Sequence, residues 1–243
     1  MRMGKLLRAT VMTMVSSSAI SVATALGPNL VQNGSFEEPQ SDSQWYQNPG
    51  TWYFGETFGH WTVTQEQIDL KRAGMGGIAS GTAYAGHQYV DLNGSPGVGG
   101  IAQTLTIPTA GVYRLSFAMS ANTGLNNNIW LNDPRNMRVR LSQGSTDIYN
   151  NVFTWLFANH STTHKGLGIA NGVSYDWHQV DILVPSAGSY TLSFTSLYAT
   201  NPAGWGPLVD DVRLQLVPEP ASMLALGAGL AGLLGLRRRR AHG

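Results

Sequence analysis

PTAGVYRLSF (residues 108–117) returns 77 positions later as PSAGSYTLSF (185–194), each copy following a run with strand-like alternation. In both, a proline ends one strand, an Ala-Gly pair makes a turn, and Tyr, Leu and Phe at alternate positions point to one core. The reading is strand, turn, strand. Two such hairpins suit an antiparallel sandwich in which each of two sheets supplies a hydrophobic inner surface. The same period runs through the rest of the body. Met137, Val139 and Leu141 alternate with Arg138 and Arg140, Ile101, Leu105 and Ile107 alternate with Ala102, Thr104 and Thr106, and Tyr113, Leu115, Phe117 and Met119 alternate with Arg114, Ser116 and Ala118. Joints such as NGSPG (93–97) and NNN (126–128) lie between them, where Gly and Asn accept the positive φ of tight turns. No window of the body carries a sustained helical stripe, so the expected class is all-β.

Both ends of the chain read as addresses. Arg2, Lys5 and Arg8 precede a mostly apolar stretch from Ala9 to Ala23, and Ala23-Thr24-Ala25 has the small-x-small pattern of a signal-peptidase site. Residues 1–25 are expected to be a signal peptide, 26–216 a β-sandwich domain and 217–243 a sorting tail. The tail joins Pro218-Glu219-Pro220, sixteen uncharged residues from Ala221 to Leu236 and the cluster Arg237, Arg238, Arg239 and Arg240. As a helix those sixteen residues reach about 24 Å, somewhat short of a hydrocarbon core of about 30 Å. A thin or temporary span of the inner membrane is expected, with the arginines left on the cytoplasmic side.

Removing the two addresses changes the charge balance. Three basic residues lie in the leader, four in the tail, and Glu219 in the Pro-Glu-Pro tripeptide, which leaves 8 basic and 13 acidic residues in 26–216, a net of −5. No basic stripe remains to bind nucleic acid. With no cysteine in the chain, an exported body of this length is held by core burial, oligomerisation or metal rather than by disulfides.

The Pro-Glu-Pro tripeptide, small-residue-rich span and terminal arginines resemble the PEP-CTERM sorting signal of Gram-negative, exopolysaccharide-producing bacteria. The resemblance implies an exosortase-type membrane partner, cleavage near Pro218 to Pro220, and delivery to the cell envelope or extracellular matrix. The body resembles the choice-of-anchor C family and, more distantly, plant cell-wall proteins and carbohydrate-binding modules with a galactose-binding-like jelly roll. The residues that carry this likeness are LVQNGSFE (30–37), Gly59-His60-Trp61, YVDLNG (89–94), IAQTL (101–105), LSF (115–117) and GPLVDDV (206–212).

Two sites follow as expectations. Period two turns Asp210 to the side of Val212, Leu214 and Leu216, where an unpaired carboxylate is costly. In jelly-roll modules the resemblance implies a structural Ca2+ between first and last strands, for which Glu37, Asp210 and Asp211 are the candidate ligands. The alternative is that these carboxylates accept backbone N–H bonds or pair with an arginine. The second site is a sugar-stacking surface, because Trp45, Trp52 and Tyr53 crowd one loop-like segment and Trp130 stands in an Asn-rich one. Core packing is the competing use of such rings, and it is the expected one for Trp61 and Trp177.

Catalytic patterns are missing from the sequence. His160 and His164 lack the glutamate of the zinc-protease motif, and there is no Gly-x-Ser-x-Gly elbow, cysteine nucleophile or P-loop. Carboxylates such as Glu37, Glu56, Glu66 and Asp91 leave a glycoside hydrolase open. The favoured function is an exported, non-catalytic module that contacts extracellular polysaccharide. A structural or adhesive matrix protein and a glycan-cleaving enzyme are the alternatives.

Overall fold

The structure, a computed structural model, describes residues 25–39, 50–73, 83–94, 97–121, 133–156, 175–198 and 206–219. Leu26–Pro218 forms one compact unit. Residues 1–24, Trp45, Trp130, His160, His164, Pro220, the run 221–236 and Arg237 to Arg240 lie outside the described residues.

Twelve strands are described: β1 (Gly50–Tyr53), β2 (Thr57–Phe58), β3 (Trp61–Gln65), β4 (Gln67–Arg72), β5 (Gln88–Asp91), β6 (Gly100–Ile107), β7 (Gly111–Ala121), β8 (Arg135–Gln143), β9 (Thr146–Trp155), β10 (Asp176–Val184), β11 (Gly188–Ser196) and β12 (Pro207–Leu216). They form two antiparallel sheets, β1-β4-β5-β12-β7-β10 and β2-β3-β6-β11-β8-β9. The class is all-β, as the alternation predicts. Tyr113, Leu115, Phe117 and Met119 from the first sheet meet Met137, Val139, Leu141, Tyr190, Leu192 and Phe194 from the second, all buried.

The repeated decapeptide does not make hairpins. β6 and β7, the arms of the first copy, lie in different sheets, and so do β10 and β11. Each copy pairs with the other: β7 with β10, in register from Gly111↔Val184, and β6 with β11, from Ile107↔Gly188. The Pro-x-Ala-Gly unit is therefore a corner that carries the chain between sheets. A hairpin and a corner make the same local demands. Both need a residue that stops the strand and a glycine at positive φ, here 155° at Gly111 and 151° at Gly188. In both, alternate residues of each arm are apolar, whether the two faces lie side by side or oppose each other across the core.

The tyrosine of each copy locks its corner. Tyr113 donates its hydroxyl hydrogen to the Thr109 carbonyl at 3.0 Å, and Tyr190 does the same to Ser186 at 2.8 Å. Tyr113→Phe and Tyr190→Phe are each expected to cost about 1 kcal/mol, roughly 2–4 °C in Tm. Calorimetry that found neither Tm moved would deny the corners this role.

The opening segment closes the sandwich against β12. Leu30 N–H reaches the Leu214 carbonyl and Val212 N–H reaches that of Gly34, each at 2.9 Å. Gln103 is the polar residue on β6's inner face, and its amide pairs both ways with the Gln32 backbone at 2.8 Å. Phe36 and Trp61 are buried with ring centroids 5.4 Å apart. The Trp61 indole N–H is satisfied by the Asn33 carbonyl at 3.0 Å, as a buried donor must be. The Asn33 side chain in turn bonds the Glu38 backbone in both directions and the Gly59 carbonyl. The NGSFE stretch is thus a built joint between the first segment, the β2–β3 turn and the last strand.

Candidate functional site

The face of the first sheet turned away from the core is set by register, because residues directly opposite on paired strands share a side. Trp177, Ala118 and Asp210 form one row, Gln179, Ser116 and Arg213 the next, and Asp181, Arg114 and Gln215 a third. Asp210 belongs to this outer face, which corrects its expected place beside Val212 and Leu214. The cause is a bulge between Asp210 and Arg213, with Asp211 at φ 47°. One extra residue moves every side chain before it to the opposite face.

Asp210 is nevertheless fully buried, because the segment 83–87 lies over it. Its Oδ2 accepts the backbone N–H of Tyr84 at 2.7 Å and of Ala85 at 3.0 Å, and its Oδ1 accepts that of Asp211 at 2.7 Å. Burial pushes this carboxyl up to about 8, while the three N–H bonds oppose the rise. Glu37 holds the other end of the same segment. One of its oxygens accepts the N–H groups of His87 and Gln88, both at 2.8 Å. The two motifs that carry the sequence likeness, NGSFE and DDV, therefore converge on one short stretch of backbone.

What they hold in place is Tyr84. Its ring is stacked on Trp177, with centroids 5.3 Å apart and planes 11° apart, and meets Tyr175 edge-on at 5.7 Å. The Arg213 guanidinium stands 5.6 Å from the Trp177 ring. Tyr84 remains 45% exposed, so it offers a flat apolar surface on a fixed backbone. Beneath it, Tyr89, Leu208, Ala83 and Tyr175 make a small second cluster. Burial, with Asp210 and Asp91 nearby, raises the Tyr89 and Tyr175 phenols, which stay neutral.

The three expected metal ligands have protein partners. Asp210 spends both oxygens on N–H donors, and Asp211 grips Arg213 at 2.9 and 2.6 Å. Among the described residues no three His, Asp or Glu side chains stand where they could hold an ion. The backbone N–H groups and the arginine are the partners that stood as the alternative to a metal ion. Towards the other edge, Lys71 Nζ sits 3.5 Å from Asp69 and 3.4 Å from Asp91, all three buried.

Of the expected stacking residues, Trp52 and Tyr53 are described, and strand alternation sends them to opposite sides. Trp52, opposite Ile68, packs on Phe58 at 5.5 Å on the core side. Tyr53, opposite Gln67, is 56% exposed on the outer face. Five strand spacings, about 24 Å, separate its strand from that of Trp177. Trp61 is core as expected, whereas Trp177 is half-buried on the outer face. The alternation of β10 carries that signal, since Val180, Ile182 and Val184 are the inward set and Trp177 falls with Gln179 and Asp181. Tyr84 had no such signal. It stands between strands, and only the carboxylates reaching it from distant parts of the chain mark it.

Comparison with known proteins gives two family matches. The model described as protein of unknown function DUF642 matches residues 29–215, and the PEP-CTERM protein-sorting motif matches residues 216–240. No curated protein matches the chain. Among solved structures, TmCBM61 in complex with beta-1,4-galactotriose is 16% identical, with a TM-score of 0.43, covering 79% of this chain and 100% of that one. The CBM22-1 xylan-binding domain of Paenibacillus barcinonensis Xyn10C is 12% identical, with a TM-score of 0.39, covering 70% and 94%. The enzymatically active domain of bacteriophage CBA120 tailspike protein 4 is 12% identical, with a TM-score of 0.42, covering 78% of this chain and 21% of that one.

Proposed function

This chain belongs to the DUF642 family, and we propose that it is an exported, non-catalytic binding protein that grips extracellular polysaccharide on the outer face of its first sheet. The observation that carries this reading is the pinned aromatic: two motifs far apart in sequence spend their carboxylates on fixing the backbone beneath Tyr84. A ring that filled the core would need no such support. A ring held still and half in solvent is prepared to stack on a flat apolar partner, and a pyranose ring is one. Beside it lie Gln179, Arg213, Arg114 and Asp181, which supply donors and acceptors for hydroxyl groups.

The PEP-CTERM motif at residues 216–240 supports exosortase-dependent delivery to the cell envelope, with the inner membrane engaged in transit. A non-catalytic role is supported by the state of the carboxylates on this face. Asp181 and Asp211 close ion pairs, Asp210 accepts three N–H groups, and Asp69 and Asp91 flank Lys71.

The full-length chain is expected to bind the exopolysaccharide of its own host, and Tyr84→Ala or Trp177→Ala to weaken that binding about tenfold, a loss of about 1.4 kcal/mol. Trp52→Ala is expected to lower stability and leave affinity within about twofold. Isothermal titration separates the two effects. Equal affinity of wild type and Tyr84→Ala would defeat the platform, and reducing ends released from the same polysaccharide would move the protein to the hydrolases.

A further inference from the structure

We infer that the glycan taken by this face is uncharged and that polyanionic polysaccharides are rejected. The inference rests on the preceding reading of the face as a glycan platform and goes on to the class of ligand.

The outward rows of β12, β7 and β10 define the accessible strip. From Trp177 through Gln179 to Asp181 it runs about 13 Å along β10 at about 3.3 Å per residue. It ends at the apolar pair Leu183 and Val112, which are opposite each other and exposed. Among the described residues, each cation on this strip is closed by a carboxylate. Arg114 Nε and Nη2 reach the two oxygens of Asp181 at 2.7 and 2.8 Å, and Arg213 makes the same two-pronged contact with Asp211 at 2.9 and 2.6 Å. Towards the opposite edge, among the described residues, the other cation of the face is Lys71, between Asp69 and Asp91.

On the accessible strip Arg114 and Arg213 are thus matched one for one by Asp181 and Asp211, while Asp69, Asp91 and Lys71 are buried together. The segments 74–82, 122–132, 157–174 and 199–205, which join these strands, contain one lysine, two histidines and no carboxylate. A uronate or sulfate approaching the strip meets arginines already closed by carboxylates and would have to displace Asp181 or Asp211 from one of them. Like charges brought together at an interface are strongly unfavourable. A hydroxyl group has no such barrier. A guanidinium in a two-pronged pair keeps further N–H groups free to donate, and the partner carboxylate keeps lone pairs free to accept. Stacking on Tyr84 together with paired charges that act as fixed dipoles suits an uncharged sugar chain, whose binding depends little on ionic strength.

The test is titration of the full-length chain with a neutral β-galactan, a neutral β-glucan and polygalacturonate at low and high sodium chloride. At least one neutral glycan is expected to bind with an affinity that salt changes less than about twofold, and polygalacturonate to bind at least about tenfold more weakly. The double variant Asp181→Asn, Asp211→Asn frees both arginines and is expected to raise polygalacturonate affinity at least about tenfold at low salt. Polygalacturonate binding as tight as that of the neutral glycans, and abolished by Tyr84→Ala, would overturn the inference and leave the platform standing. Binding of neither class, nor of the host polysaccharide, would remove the platform itself.

Discussion

Asp210→Asn is expected to lower stability by about 3 kcal/mol near pH 5, roughly 6–12 °C in Tm. Asparagine keeps the shape but replaces one acceptor oxygen by an NH2 group, which then faces backbone N–H groups from Tyr84 and Ala85 or from Asp211. Buried donors without acceptors each cost about 1–3 kcal/mol. The deficit carries a pH signature. The folded carboxyl sits at about 8, above its ordinary 3.8, so between those values the folded chain holds a proton that the unfolded chain releases. Wild-type stability from this group therefore falls as pH rises from about 4 to about 8, by up to about 1.4 kcal/mol per unit. Asp210→Asn has no such dependence, and the gap between the two proteins narrows over that window. Denaturant titrations at pH 5, 7 and 9 measure it, and a gap that widened with pH would show a carboxylate held ionised by its N–H donors. The variant is also expected to lose glycan affinity, because Tyr84 loses its support. The residue acts through position and not by touching the ligand.

Gly34→Ala is the second large effect, expected to cost more than about 3 kcal/mol. A methyl group here overlaps the Val212 carbonyl oxygen. Neither backbone can yield easily, since Val212 N–H is bonded to the Gly34 carbonyl and Leu30 to Leu214. The damage spreads along the NGSFE joint. Phe36 would shift in the core, and Glu37 would move from the N–H groups of His87 and Gln88. A Tm drop of roughly 6 °C or more by calorimetry, with weakened glycan binding, is the expected pair of results. A variant with unchanged Tm would show that the close approach is not required.

These two residues also show how far the sequence reaches. Asp210 and Glu37 were conspicuous in the chain as carboxylates in a β context, and their need for a partner was legible. Backbone N–H groups were one of the partners the sequence left open, but which of them meet these carboxylates was hidden, because those of residues 84–88 leave no mark in a sequence. The bulge at Asp211 was equally hidden: it needs one residue at positive φ, and aspartate gives no warning comparable to that of glycine. Trp177 was readable from the alternation of β10. Tyr84 was not, since no periodicity governs a segment between strands.

The chain alone determined that it folds as β-structure, that its inner faces are Tyr113, Leu115, Phe117, Met137, Val139 and Leu141, and that its last residues carry a sorting motif. Those are local facts: side-chain alternation and a linear signal are written residue by residue. Only the tertiary structure decided that the two decapeptides are corners pairing with each other, that Asp210 faces outward, and that distant carboxylates meet beneath one tyrosine. Each of those depends on which strand lies beside which, a matter of burial and hydrogen bonding summed over the whole molecule, and a corner, a bulge or a clamp satisfies the local pattern as well as its alternative does.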